Sequence, residues 1–383
     1  MPIARPIQPE DASPEVKAVF DDIMATRKTD WINDFWKVLA HHPPTLKRTW
    51  ESLKQVMAPG GALDPVTKEM IYLAVSIPNG CEYCIASHTG GGLLYYNTKM
   101  FEEAGITAPP QTPDELIAVA QQLTTADHAG FCVRADITQA LYDAFQLWQW
   151  FYPWDNPVTG NYFRQDWSVL LAEEPYASAF GEFWREILTT AAPEGISTYK
   201  VTDCLQAFQQ GRVAMWHDDS GTIPEVLDPE KSNVADSVAF WSMPCTEVNP
   251  DHCALVQPFG TWINNASEHK EAAWLLVQFL TSKETQAKAA QAGALLTPSR
   301  LSVLQDPATI AAMPATFPEA LTHILQHPNV TLLPFIPEGV AIIPPIQQGL
   351  QELITTDRPV AEIMAEMGAG IGDRKSTRLN SSH

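Results

Sequence analysis

The chain has 383 residues, 45% of them hydrophobic and 18% charged, with a formal net charge of −21. That length can bury a sizeable core and predicts two or more domains. The acidic excess repels nucleic acid and anionic lipid, and no apolar run of about eighteen residues is present to cross a membrane. The acid is concentrated: residues 91–372 hold 33 Asp and Glu against 12 Lys and Arg, whereas residues 1–90 hold 11 against 9. The opening MPIARPIQPEDASPE has no apolar core region and does not read as a secretory signal, so the chain as written would stay in the cytoplasm.

Residues 1–90 read as all-helical. Ser13-Pro14-Glu15 is a cap followed by proline, and Val16, Val19, Phe20 and Ile23 make one helical face. Trp31, Phe35, Val38 and Leu39 repeat the pattern up to His42-Pro43-Pro44, and Leu46, Trp50, Leu53 and Met57 mark a third helix. Asp64-Pro65 starts a fourth, and Cys81-Glu82-Tyr83-Cys84-Ile85-Ala86-Ser87-His88 opens a fifth. Two cysteines three apart at a helix start share the dipole that lowers a thiol pKa, and His88 lies one turn beyond Cys84. A CxxC is also half of a zinc site, but no second CxxC or His pair stands nearby; inert buried thiols are the other alternative. The spacing of Glu69, Cys81, Cys84 and His88 (E-x11-C-x2-C-x3-H) resembles the alkylhydroperoxidase-D-like branch of the carboxymuconolactone decarboxylase family. That resemblance implies a peroxidatic Cys84, a resolving Cys81, and a proton relay through Glu69 and His88. Tyr83 replaces a histidine found in some members.

After His88-Thr89 and the triplet Gly90-Gly91-Gly92 comes Leu93-Leu94-Tyr95-Tyr96, short enough for a buried strand. Asn97 offers a turn, and Met100 and Phe101 start a brief helix that Gly105 ends. Thr112-Pro113-Asp114-Glu115 is a capped helix start. The whole block, LLYYNTKMFEEAGITAPPQTPDE, resembles the extracellular solute-binding proteins of ABC transporters for sugars and polyols. A second block, Asp203 to Trp216, reads as helix, Gly211 cap and buried strand, with His217-Asp218-Asp219 at the strand's carboxyl end. A third, Pro258 to Ile263, reads as a strand, followed by a helix marked by Ala272, Leu275, Leu276, Phe279 and Leu280. Ser282 caps the next helix, and Leu296 to Arg300 resembles a further family segment. Residues 373–383 have no apolar periodicity and read as a disordered, adaptor-like tail.

The resemblances imply a mixed architecture. Residues 1–90 would be a partial all-α alkylhydroperoxidase-D-like segment, and residues 91–372 an α/β periplasmic-binding-protein-like type II domain whose first lobe is incomplete. Polyols present hydroxyls around apolar C–H faces, which aromatic rings and charged hydrogen-bonding groups recognise. Ligand contacts are expected at Tyr95, Asn97, Trp154, Asp155, Trp216, Asp218, Asp219, Phe259, Gly260, Trp262 and Arg300. Trp148, Trp150, Trp184 and Trp274 read as core, and Asp218-Asp219 is alternatively a helix cap. Cys245 and Cys253 flank a polar loop and suit a disulfide or free thiols.

Three functions follow as expectations. The first is capture of a sugar or polyol between two lobes, with an ABC permease as partner, no cofactor, no metal, no nucleic acid and no membrane insertion; that family works in the periplasm. The second is a CxxC thiol peroxidase in residues 1–90. The third is a non-functional chimaera of two truncated genes joined at the glycines.

Overall fold

Proline sets where the first helices begin. The computed structural model describes residues 7–27, 32, 34–57, 85–156, 158–261, 263, 267–295, 297–334 and 339–379, in two units, Met1–Tyr83 and Cys84–His383. In the first unit α1 (Pro14–Arg27) and α3 (Pro43–Met57) both open on proline, whose missing N–H is free to be lost at a helix start, with α2 (Asp34–Leu39) between them. Val16, Val19, Phe20 and Ile23 are buried as the spacing predicts. The second helix turns a different face inward: Ile32, Trp36 and Ala40 are buried, and Val38 and Leu39 are half-buried. The cause is Trp36, whose ring meets Trp50 edge-on at 5.6 Å and sets the rotation of its helix. Trp31, Glu69, Cys81 and Cys84 lie outside the described residues.

The second unit is built on β1 (Ile85–Asn97), a strand of 13 residues that runs through the glycine triplet. It corrects the expected fifth helix: Ile85, Ala86, His88 and Thr89 pair with Thr261, Gly260, Phe259 and Pro258. A neighbouring strand edge with open backbone groups overrides weak local helix preference. With His88 in extended backbone, the helical turn that was to carry it past Cys84 is absent.

The elements that follow begin and end where their caps lie. The Asn97 carboxamide accepts from the Lys99 and Met100 amides to start α4 (Thr98–Glu103), and Gly105 leaves it at φ +72°. Thr112 caps α5 (Pro113–Gln122), while the Glu115 carboxylate accepts from the Gln111 amide, one residue earlier than in a standard capping box. Then come β2 (Ala129–Cys132), α6 (Ala140–Trp148), α7 (Tyr176–Thr190), α8 (Val201–Gln209), β3 (Val213–Asp219), α9 (Ile223–Val226), β4 (Val238–Trp241) and β5 (Ala254–Thr261). The chain continues through α10 (Lys270–Leu280), α11 (Lys283–Gln291), α12 (Leu301–Leu304), α13 (Pro307–Ala312), α14 (Phe317–Gln326), β6 (Pro328–Asn329), α15 (Ile343–Thr355) and α16 (Val360–Leu379).

The strands form one six-stranded sheet in the order β2-β3-β1-β5-β6, with β4 also paired to β1. The second and third family blocks therefore flank the same strand. β3 pairs antiparallel with residues 92–96, and β5 pairs antiparallel with residues 85–91. The core beside the sheet is aromatic, with Trp148, Trp184, Tyr152, Tyr162, Phe145 and Phe180 all fully buried. Cys132–Cys204 ties the end of β2 to α8, and Cys245–Cys253 closes the loop before β5.

One apolar helix face goes unmet, and one further expectation is corrected. The apolar residues of α10 are not inward: Leu275, Leu276, Phe279 and Leu280 are 65%, 57%, 62% and 43% exposed, while Val277 is buried. Periodicity reports an apolar face, and tertiary packing decides whether anything meets it. The tail expected to be disordered is helical in backbone as far as Leu379. It carries no proline after Val360, and adding a turn to an existing helix skips the nucleation step. No helix among the described residues is long and apolar enough to cross a membrane.

Candidate functional site

Strand β3 delivers His217, Asp218 and Asp219 to its carboxyl end, the edge of an α/β sheet where ligands gather. β2 runs parallel to β3, so Arg134, just past the end of β2, arrives at the same edge. Its guanidinium grips the Asp218 carboxylate through two nitrogens, Nε to Oδ2 at 2.9 Å and Nη2 to Oδ1. The Asp218 side chain is fully buried, and that of Arg134 is 17% exposed. α6 adds the remaining members. Asp143 accepts from the Arg134 amide at 2.7 Å and lies 3.5 Å from His217 Nδ1. The Tyr142 ring stacks under the guanidinium at 4.2 Å, and its hydroxyl donates to Asp219 Oδ2 at 2.9 Å.

Electrostatics follow burial. Loss of water, then the neighbouring Asp143 carboxylate, pushes Asp218 up to about 7 against the pull of Arg134. Arg134 is itself held protonated more firmly than usual, because its hydrogen bond to Asp218 and the charge of Asp143 outweigh its own burial. Desolvation raises the Tyr95 and Tyr142 phenols well above their ordinary value.

Asp219 is the junction. Its Oδ1 accepts from the Gly221 amide at 2.6 Å, as a cap should, and its backbone carbonyl accepts from Tyr95 Oη at 2.6 Å. Gly90 passes directly beneath it. A side chain at Gly90 would collide with the Asp219 carboxylate and stand 3.1 Å from Phe259 Cε2. The absent Cβ thus lets a carboxylate from β3 and a ring from β5 converge over one backbone atom.

The expected ligand residues divide accordingly. Asp219 and Phe259 are brought together over Gly90, with Gly260 next along β5 opposite Ala86; Phe259 and Gly260 are half-buried and Asp219 is 9% exposed. Asp218 sits behind them as a charge anchor. Tyr95 and Trp216 are corrected to core: both are fully buried and stacked at 4.9 Å, leaving no ring face to meet a solute. Asn97 is a helix cap. Trp154 lies against His252 with ring centroids 3.9 Å apart, and Asp155 accepts from the Gln165 amide beside Arg164; neither is with the β3 group. Arg300 Nε donates to the Thr281 carbonyl at the end of α10. Trp262 lies outside the described residues, as do Glu69, Cys81 and Cys84, and His88 is described in backbone only. Sequence reasoning missed Arg134, Tyr142 and Asp143. Reading Ala129–Cys132 as a strand would have pointed to Arg134, the residue at a parallel strand's end.

Comparisons with known proteins agree with this architecture. The family model described as bacterial extracellular solute-binding protein matches residues 17–287, a stretch that opens upstream of the glycine triplet and includes residues expected to lie outside that family. A probable amino-acid ABC transporter periplasmic-binding protein of Sinorhizobium fredii is 25% identical over 231 residues, 58% of this chain and 48% of that protein. The erythritol/L-threitol-binding protein of Mycolicibacterium smegmatis is 28% identical over 231 residues, 58% of this chain and 46% of that protein. The chain thus spans about half the length of these relatives. Among solved structures, an ABC transporter solute-binding protein of Agrobacterium vitis with bound D-mannitol superposes with a TM-score of 0.65 at 19% identity, over 77% of this chain and 73% of that one. By the family match, and with a fold shared with such proteins, the chain belongs to the bacterial extracellular solute-binding protein family.

Proposed function

We propose that this chain captures a sugar or polyol between two lobes and passes it, chemically unchanged, to the permease of an ABC importer on the extracytoplasmic side. The observation that carries this reading is the convergence of Asp219 and Phe259 over Gly90. A carboxylate beside an aromatic ring offers a hydroxyl its acceptor and a C–H face its platform. Arg134 and Tyr142 hold the carboxylates in place. Relatives and neighbours whose names specify erythritol, threitol and D-mannitol favour the polyol class. The type II arrangement with an incomplete first lobe belongs to the same proposal. Thermal unfolding of the purified chain with mannitol, erythritol and maltose tests it. A binder raises the Tm with ligand concentration, and no shift at millimolar levels of any of them sinks the reading.

A second reading, a thiol peroxidase, has the spacing of Glu69, Cys81 and Cys84 in its favour and the strand conformation at His88 against it. Peroxide consumption with a dithiol, abolished by Cys84→Ser, would support it; consumption unchanged by that substitution, or none, removes it. If ligand response and peroxide consumption both fail while a hydrophobic dye binds strongly, the chimaera reading stands.

A further inference from the structure

The loop before β5 and the last turn of α14 bring together a second group of side chains, of which Ser242 and Cys253 line a small cavity with His217. Cys245, Cys253 and His323 each offer a donor atom, and these atoms all lie within 4.8 Å of one another. His323 is positioned by Ser242, whose hydroxyl oxygen is 2.9 Å from its Nδ1. One helical turn on, the His327 ring stands 4.7 Å from that of His323, and its Nδ1 is sealed from solvent without a hydrogen-bond partner. Two sulfurs on a short loop and the His323 imidazole make three donors of the kind zinc takes, and His327, whose ring faces that of His323, stands next to them.

We propose that reduction of the Cys245–Cys253 disulfide creates a site for a thiophilic divalent cation such as zinc, held by both thiolates and His323, with His327 as fourth donor. A dithiol supplies two electrons and two protons, breaks the S–S bond, and leaves as its own disulfide. The cation then displaces the two thiol protons as two metal–sulfur bonds form. The change in geometry is small. Metal–sulfur bonds of about 2.3 Å put two tetrahedral sulfurs roughly 3.8 Å apart, and the two Cα atoms, already at 5.2 Å, can accommodate that by side-chain rotation. The oxidised and metal-bound forms exclude each other, so the loop has two alternative closures.

The test uses full-length chain carrying Cys81→Ser and Cys84→Ser, which leaves Cys132–Cys204, fully buried at both ends, as the only other pair. The protein is reduced with a non-chelating phosphine, which takes up oxygen from water as it opens the disulfide. It is then titrated with cadmium while thiolate-to-metal absorption is followed. One equivalent bound after reduction and none before it is expected. Adding Cys245→Ser and Cys253→Ser should abolish the band, and His323→Gln or His327→Gln should weaken binding by about tenfold or more. X-ray absorption of the zinc form should count two sulfur and two nitrogen neighbours, a measurement that needs no further variant. Two titratable thiols with no metal uptake would overturn the proposal. So would binding indifferent to both histidine substitutions, or a sulfur count other than two.

Discussion

Arg134 holds Asp218 through two guanidinium nitrogens while Asp143 holds the Arg134 backbone amide, so two buried carboxylates fix one residue by its side chain and by its main chain. Removing one partner of such a pair leaves an uncompensated charge where water cannot reach. Arg134→Met and Asp218→Leu should each cost about 3–5 kcal/mol in urea unfolding, and the double variant should recover much of the loss. Additive losses would show that the two residues act separately.

The same carboxylate predicts a pH dependence. Its pKa is about 7 when folded, against the ordinary 3.8. The folded state therefore binds more protons than the unfolded one between these values. Its contribution is fully present below about pH 4 and is lost as pH rises through about 7. Other groups add their own slopes, so the difference between wild type and Asp218→Asn isolates it. Unfolding free energies at pH 5, 6, 7 and 8 should diverge in favour of the variant as pH rises. Parallel curves would contradict the assignment.

Trp216 and Phe259 should separate by readout. Trp216→Ala creates a large cavity beside Tyr95 and Phe208 and should cost about 3–5 kcal/mol. Trp216→Phe should leave polyol affinity almost unchanged. Phe259→Ala should weaken polyol binding roughly tenfold by calorimetry with a smaller effect on stability. The reverse pattern would return Trp216 to the ligand.

Gly90→Ala and Gly92→Ala both place a methyl into an occupied space, against Asp219 and Phe259 in one case and the Gln146 side chain in the other. Each should destabilise by about 1–3 kcal/mol, although alanine is otherwise preferred to glycine in a strand. Thermal unfolding measures the loss, and a neutral substitution would contradict this account of the two glycines.

The two disulfides should differ in worth. Cys132–Cys204 spans a sequence separation of 72 and Cys245–Cys253 one of 8. Chain-entropy reasoning gives about 4 kcal/mol for the first and roughly 2.5 kcal/mol for the second. Paired Cys→Ser variants in guanidinium unfolding would rank them, and the opposite order would show that native contacts dominate.

Local chemistry was legible in the sequence wherever a few adjacent residues decide the outcome. Asn97, Thr112 and Ser282 cap helices, and Gly105, Gly211 and Gly293 leave them at positive φ, as their neighbours imply. What depends on distant partners was not. Ile85–Thr89 became strand because β5 offered an edge, and Arg134 entered the site because β2 lies parallel to β3. Strand-end aromatics gave an ambiguous signal: Phe259 stays half-buried while Trp216 disappears beneath Tyr95. No pattern in their own segments distinguishes them.

Helix α10 has a practical consequence. Its four large side chains, Leu275, Leu276, Phe279 and Leu280, leave a few hundred Å2 of hydrocarbon in water, an area at which soluble monomers begin to cling to one another. Concentrated stocks should therefore scatter light and bind dye in proportion to that helix, and replacing Leu275 and Phe279 with lysine should clear them while leaving the melting curve in place.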